Sequence, residues 1–440
     1  MKNNIQNKIK KLVFVTFIAV LFIPLVQQQF HLITEKPLLG FLKEEAFPEF
    51  SDSTLISGEF QEKFERAVTD NIGFHNSFVR TLNQLNYSIF NISKAPFVTI
   101  GKNNYLFGIS YINGYNGDDF VGKDNINLQI QKAKVVALEL SKKHIDLLFA
   151  FAPGKGSYFP EYIPDKYLGN KSMDSTNYSC YIRACSEAKL NFIDLRKYFL
   201  SIKDTVQHPL FSQVGVHWSD YAAFIAIDTI AKKIEQIKKT KTRPFYISRF
   251  EYLDTLKTQD RDIENLMNIY VTAPYKNMAY LKINFYPANS YKETKILTVA
   301  DSYFEKIVHT NILDSVFPGS EFWLYNNYSI SVSPEETFDF KSEIEKKDVV
   351  LLLATDATLG GFPYGFIDMA FEAYAPKDNN YYKIKNQELR FYVYDFFANV
   401  EKDKKWKNQF LVSAKKKGLS ETEEIFISAL WLYNNTHIHK

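Results

Sequence analysis

The stretch Lys295-Ile-Leu-Thr-Val-Ala300-Asp301-Ser302-Tyr303 sets five apolar or β-branched residues in a row before two polar ones. A continuous apolar run of this length fits a strand buried on both faces, as strands of a parallel sheet are. The residues from Ser302 to about Leu313 predict a helix, so Asp301 and Ser302 fall at a strand-to-helix turn. Two similar runs, Ile145-Asp-Leu-Leu-Phe-Ala-Phe151 and Val349-Val-Leu-Leu-Leu-Ala354, read as further buried strands. The shorter Asn191-Phe-Ile-Asp-Leu195 reads as another. Helical periodicity fills the intervals at 125–142, 175–190 and 218–238, the last with Ser219 placed to cap it. Strands alternating with helices predict an α/β fold, a parallel sheet with helices on both faces.

On the amino-terminal side, Leu55, Ile56, Phe60, Phe64, Ala67 and Val68 have helical spacing, and a second helix is expected over 77–90. Phe97-Val-Thr-Ile-Gly-Lys-Asn-Asn-Tyr-Leu-Phe107 reads as two short strands around a Gly-Lys-Asn-Asn turn. On the carboxyl-terminal side, 243–293 is polar, aromatic and weakly periodic, which suggests an insertion near the sheet's carboxyl edge. From Lys385 the chain turns helical and charged, with Lys415-Lys-Lys-Gly418 between two helices as a solvated face. The expected organisation is an anchor at 1–34, a lead-in at 44–110, the α/β domain at 111–375 with its insertion at 243–293, and a helical extension at 376–440.

The chain has 440 residues, 46% hydrophobic and 23% charged, which suits a globular protein with a full core. Lys+Arg 53 against Asp+Glu 50 leaves a net charge of +3, with no electrostatic footprint for nucleic acid. Aromatic residues reach 16%, which suits cores and also carbohydrate-lined clefts. The two cysteines, Cys180 and Cys185, exclude a disulfide scaffold and a Cys-based zinc cluster. Their i, i+5 spacing does not share a helix face, so two buried small hydrophobes are expected. No Gly-x-Gly-x-x-Gly after a strand and no Walker loop point to a nucleotide.

Lys2, Lys8, Lys10 and Lys11 precede an apolar run from Leu12 to Val26, and no Asp, Glu, Lys or Arg follows until Glu35. The fully apolar part is short for a bilayer span, but extended through Gln27–Gln29 to Ile33 it reaches about 20 residues. A cleaved signal peptide is the competing reading, yet Gln-Gln-Gln-Phe-His stands where a small-x-small cleavage site belongs. An uncleaved signal anchor is therefore favoured, with the lysines cytoplasmic in the inner membrane and the rest of the chain in the periplasm or exterior.

Two motifs can carry chemistry. A serine at the carboxyl end of a parallel strand faces the crevice where α/β sheets bind ligands, and a helix start behind it favours developing negative charge. Ser302 has that place, although Ser and Asp also cap helices for structural reasons. Val214-Gly-Val-His217-Trp218-Ser219 places His217 at a loop-to-helix junction, where it can serve as general base for Ser302 or simply pack.

Taken together, these motifs and their order resemble the circularly permuted SGNH hydrolases, and within them the alginate O-acetyltransferase (AlgX/AlgJ-like) group. Phe47-Pro-Glu-Phe50, the Gly58 to Asp70 helix, the 101–107 hairpin, Ala152-Pro-Gly-Lys155 and Phe159-Pro-Glu-Tyr-Ile-Pro164 look like that group's lead-in and strand-loop segments. The resemblance covers roughly 45–366. It implies an SGNH-hydrolase-like sheet with Ser302 as acyl-accepting nucleophile and His217 as base. One position departs from the pattern: two residues before His217, where the group has an Asp, stands Gly215. A carboxylate there holds the imidazole tautomer, and losing one costs about 10⁴-fold in rate. Asp194 and Asp356, at the ends of predicted strands, are the substitutes to weigh, each equally able to cap a turn. Tyr303 offers a backbone N–H to an oxyanion hole, and Asp301 is expected to hold the turn. Lys155 and Trp218 are candidate substrate contacts, although a solvated lysine and a core tryptophan are the plainer readings.

The resemblance further implies an extracytoplasmic O-acetyltransferase acting on the hydroxyls of a surface or exported polysaccharide. Its acyl donor would come through a multipass membrane acyltransferase partner, with no metal or organic cofactor. A polysaccharide acetylesterase using the same Ser and His, or a non-catalytic carbohydrate-binding module of an export complex, are the alternatives.

Overall fold

A computed structural model describes residues 2–40, 46–168, 176–288, 291–327, 339–375 and 387–437. The chain folds into two compact units, one of 1–108, 213–215 and 257–275, the other of 109–212, 216–256 and 276–440. Residues 257–275, which the sequence placed inside the insertion, thus belong to the first unit.

The first unit opens with helix α1 (Lys2–Phe30). Its segment Gln6–Phe30, 25 residues, is long and apolar enough to cross a membrane. The helix runs on through Gln27–Gln29, so the polar glutamines lengthen it instead of ending it. Periodicity predicted one helix over 55–68, but two form, α2 (Asp52–Ser57) and α3 (Glu59–Asn71). The break falls at Gly58, whose φ of 82° lies in the left-handed region that glycine alone enters without cost. Helix α4 (His75–Phe90) follows, then the expected hairpin of β1 (Val98–Ile100) and β2 (Leu106–Gly108). Its register pairs Thr99 with Phe107.

The second unit is built on five parallel strands: β3 (Asp146–Ala152), β4 (Asn191–Asp194), β7 (Ile296–Ala300), β8 (Glu321–Leu324) and β9 (Val349–Thr355). Between β4 and β7 in sequence, β5 (Phe245–Tyr252) and β6 (Ala279–Phe285) form a separate antiparallel ribbon. Weak alternation hid this ribbon inside the expected insertion, and the short β8 was missed for the same reason. The sheet order is β4-β3-β9-β7-β8, all parallel. Successive residues of each inner strand face opposite ways, as the pleat requires. Leu147, Phe149 and Phe151 enter one core with Val350 and Leu352, while Leu148, Ala150 and Ala152 enter the other with Leu351 and Leu353. The helices 123–141, 177–187 and 366–374 cover the first face, and 195–202, 220–238 and 303–309 the second. That is why these strands read as unbroken apolar runs. The described carboxyl-terminal helices, starting at Gln387, add Val393, Phe396, Val400, Ile425 and Ala429 to the first core. Lys415, Lys416 and Lys417 are exposed, as a solvated face should be. Both cysteines are buried and free, and burial pushes the Cys185 thiol up to about 12.

Candidate active site

The chain after β7 turns at Asp301-Ser302 into the helix Tyr303–His309. The predicted helix to Leu313 breaks after that, at Asn311 with φ 58°, and resumes at Ile312. Ser302 therefore stands at the carboxyl edge of the sheet, at the strand end where an open α/β sheet leaves its crevice. His217 arrives from a different part of the chain. Trp218, expected inside the following helix, instead bridges Phe211 just outside it, and the helix starts at Asp220 with Ser219 as its cap. Ser219 accepts a hydrogen bond from the Ala222 amide at 3.0 Å. Bridge and cap together fix the loop that carries the imidazole.

His217 Nε2 lies 2.9 Å from Ser302 Oγ, hydrogen-bond distance across 85 positions of sequence. Two further bonds flank that contact. The Trp218 indole N–H donates to the Tyr303 carbonyl at 2.8 Å, and the Tyr303 hydroxyl donates to the Val216 carbonyl at 2.5 Å. The His217 and Tyr303 rings are 5.1 Å apart. A buried ion pair, Lys306 with Asp220 at 3.1 Å, ties the two helices behind the pair. The Ser–His contact is thus held on both sides by interactions that do not involve the reacting atoms.

Asp301 is buried and accepts four hydrogen bonds. They come from the Tyr303 amide at 3.1 Å, the Thr355 amide at 2.8 Å, and the Thr355 and Thr358 hydroxyls at 2.8 Å each. Burial pushes its carboxyl above the ordinary range, and these donors partly oppose that. Asp301 holds the turn, and Tyr303 does not fill the expected oxyanion place, because its N–H is directed at Asp301. The residue sequence reasoning missed is Tyr325, just past β8. Burial, with the Asp301 charge nearby, pushes its phenol up, and the neighbouring Ser302 opposes the shift. Only the β7–β8 pairing could have revealed it, since Tyr325 donates its own amide to the Ala300 carbonyl at 2.8 Å.

Neither substitute acid reaches His217. Asp194 caps the helix Leu195–Ile202, accepting from the Lys197 amide at 2.9 Å and from the Tyr178 hydroxyl at 2.9 Å. Asp356 accepts from the Gly154 amide at 2.9 Å and from the Ser157 hydroxyl, and pairs with Arg196 at 3.2 Å. Both carboxylates are occupied by backbone and side-chain donors at the ends of β4 and β9. Lys155 and Trp218 are completely buried, which corrects their reading as surface contacts for a sugar. Gly215 is dictated by space. A Cβ there would lie 2.6 Å from the Asp260 carbonyl oxygen and 3.1 Å from Asp262 Oδ1, so no aspartate fits at that position without moving this loop. Among the described residues no cluster of three His, Cys, Asp or Glu is placed to hold a metal ion.

The second unit is thus a parallel sheet between two helical layers, with a serine at one strand's carboxyl end and a histidine at hydrogen-bond distance from it. Residues 98–268 match the family model described as SGNH hydrolase-like domain, acetyltransferase AlgX. The match includes His217 and ends before Ser302. Among solved structures, the O-acetyltransferase domain of Pseudomonas putida AlgJ aligns at 15% identity over 63% of this chain and 99% of that one, with a TM-score of 0.41. Pseudomonas aeruginosa AlgX aligns at 11% identity over 62% and 67%, with a TM-score of 0.42. Bacillus cereus PatB1 aligns at 14% identity over 56% and 93%, with a TM-score of 0.38. None of the curated proteins matches the sequence.

Proposed function

We propose that this chain is an SGNH-type O-acetyltransferase that moves acetyl groups onto hydroxyls of a surface or exported polysaccharide through an acyl-serine. One observation carries the reading: Ser302 Oγ and His217 Nε2 stand 2.9 Å apart at the carboxyl edge of the sheet. His217 takes the serine proton as Oγ attacks the acyl carbonyl. The tetrahedral oxyanion is met by the Ser302 amide and, from just past β8, the Tyr325 hydroxyl. Collapse expels the donor's leaving group, which receives the proton from His217. A sugar hydroxyl then gives its proton to His217, attacks the acetyl-serine and leaves acetylated, with Ser302 restored. The chemistry needs no cofactor.

The long apolar α1 supports an uncleaved anchor in the inner membrane, with the preceding lysines cytoplasmic and the catalytic unit periplasmic or otherwise extracytoplasmic. In that setting the acetyl group would be supplied by a multipass membrane acyltransferase partner. Protease added to cells whose outer barrier has been opened, with the inner membrane intact, should then degrade the chain, and full protection there would reject the topology. Hydrolysis by the same pair, with water as acceptor, is the second reading, because the geometry does not distinguish the two acceptors. Incubation with an artificial acetyl ester and an oligosaccharide separates them. Acetylated oligosaccharide is expected, and release of free acetate alone would make the protein an esterase. No turnover at all would leave a carbohydrate-binding role.

A further inference from the structure

We infer that α4 is a lipid-binding helix, which docks an apolar stripe into the headgroup–acyl boundary of the bilayer crossed by α1; this rests on the proposed membrane anchoring of α1. Phe78, Leu82, Leu85 and Ile89 recur at i, i+4, i+7 and i+11, so they form one line along the helix. They are 52%, 56%, 49% and 66% exposed, so among the described residues nothing closes over the line. A buried core helix would turn such a line inward.

The opposite face of α4 is the one that is held, and it is held by polar bonds. The Asn83 side-chain amide donates to the Met267 carbonyl at 2.8 Å. Gln84 Oε1 accepts the Tyr270 and Val271 amides at 2.9 and 2.8 Å. Arg80 is buried on this face and donates to the Pro37 carbonyl at 2.8 Å. Arg80 is also the only Lys, Arg, Asp or Glu in the helix, so the exposed stripe carries no such charge. The fold thus fixes the inner side and leaves an uncharged apolar side open.

Position within the unit selects lipid as the occupant. Gly73, two residues before α4, lies directly on the last turns of α1. A Cβ there would stand 2.1 Å from the Pro24 carbonyl oxygen and 2.6 Å from the Gln28 amide nitrogen. Glu35, just beyond α1, accepts the Ser77 amide at 2.8 Å and the Ser77 hydroxyl at 2.5 Å. The first turn of α4 is therefore strapped to the end of the membrane-crossing helix, at the level where a bilayer's apolar region gives way to headgroups. Phe90, the last residue of the helix, and Ile92 and Phe97 beyond it are exposed as well. An amphipathic helix with an open apolar face at that level binds the interface.

Spin-label accessibility in the full-length chain, reconstituted into phosphatidylcholine–phosphatidylglycerol vesicles, tests this. Nitroxide is attached to Leu85→Cys, Ile89→Cys, Val20→Cys in α1 and Lys232→Cys on a solvated helix. The parent's buried Cys180 and Cys185 should take up no label. Labels at 85 and 89 are expected to collide with oxygen several-fold more, relative to a water-soluble nickel chelate, than the label at 232. If the label at 20 meets oxygen while those at 85 and 89 meet chelate as 232 does, the inference is overturned and the anchor stands. Labels at 85 and 89 shielded from both reagents would mean contact with a second copy, which also overturns it. A chelate-accessible label at 20 would reject the anchor itself and α4 binding with it.

Discussion

Two buried aspartates stand one residue beyond the ends of adjacent parallel strands, Asp301 after β7 and Asp356 after β9. Asp301 is held by two amides and two hydroxyls and leaves Ser302 beside it free to meet His217. Asp356 is held by the Gly154 amide, the Ser157 hydroxyl and the Arg196 guanidinium, and it fixes the β3 loop against the β4 side of the sheet. Both match the description of a carboxylate at a strand's carboxyl end. The difference teaches that such a place does not make an acid catalytic; what matters is which donors already occupy its oxygens.

The sharpest way to break this contrast is at the reacting pair. Ser302→Ala and His217→Gln should each lower acetyl-ester turnover by about 10⁴-fold or more, with the urea midpoint almost unchanged. Retained turnover in either variant would dissolve the distinction between the two edges. Next in size is Asp356→Ala, which strands the buried Arg196 charge and should cost about 3–5 kcal/mol in urea unfolding. The fraction that stays folded should keep its kcat; a kcat loss on the scale of Ser302→Ala would make Asp356 part of the chemistry.

Asp301→Asn should cost about 1–3 kcal/mol, because an amide cannot accept all four of the present donors. The same variant carries a pH signature. Burial raises the folded carboxyl above its unfolded value, so the native state binds this proton more tightly than the unfolded chain. The group's contribution to stability therefore falls as pH rises from the ordinary carboxylate range through the raised value. Urea titrations against pH should show that slope weaken in Asp301→Asn, and an unaltered slope would contradict it.

Tyr325→Phe should reduce kcat about tenfold at similar KM, if its hydroxyl meets charge that develops only in the transition state. A change in KM alone would reassign it to binding. The smallest effect is expected of Asp194→Ala, about 1 kcal/mol of stability for a lost helix cap and no change in kcat.

The sheet was legible because strands buried on both faces leave unbroken apolar runs, as in 145–151, 296–300 and 349–354. Ser302 and His217 were legible because each sits at an element boundary marked by its neighbours: a strand's last alanine for one, the cap Ser219 for the other. The antiparallel ribbon of β5 and β6 was not, since its strands are short of clear alternation. Gly58 split a helix that periodicity joined, because a single left-handed residue overrides the spacing on either side.

What the sequence determined by itself was local: which segments are strand or helix, that an apolar segment long enough to span a bilayer leads the chain, and which residue types could perform acyl transfer. Tertiary structure alone decided which of them meet. The 2.9 Å between Ser302 and His217, the engagement of Asp194 and Asp356 elsewhere and the tie of Tyr325 to the end of β7 all depend on strand order. Strand order is set by how helices pack across both faces of the sheet, and that pairing of distant segments leaves no periodic trace in either one.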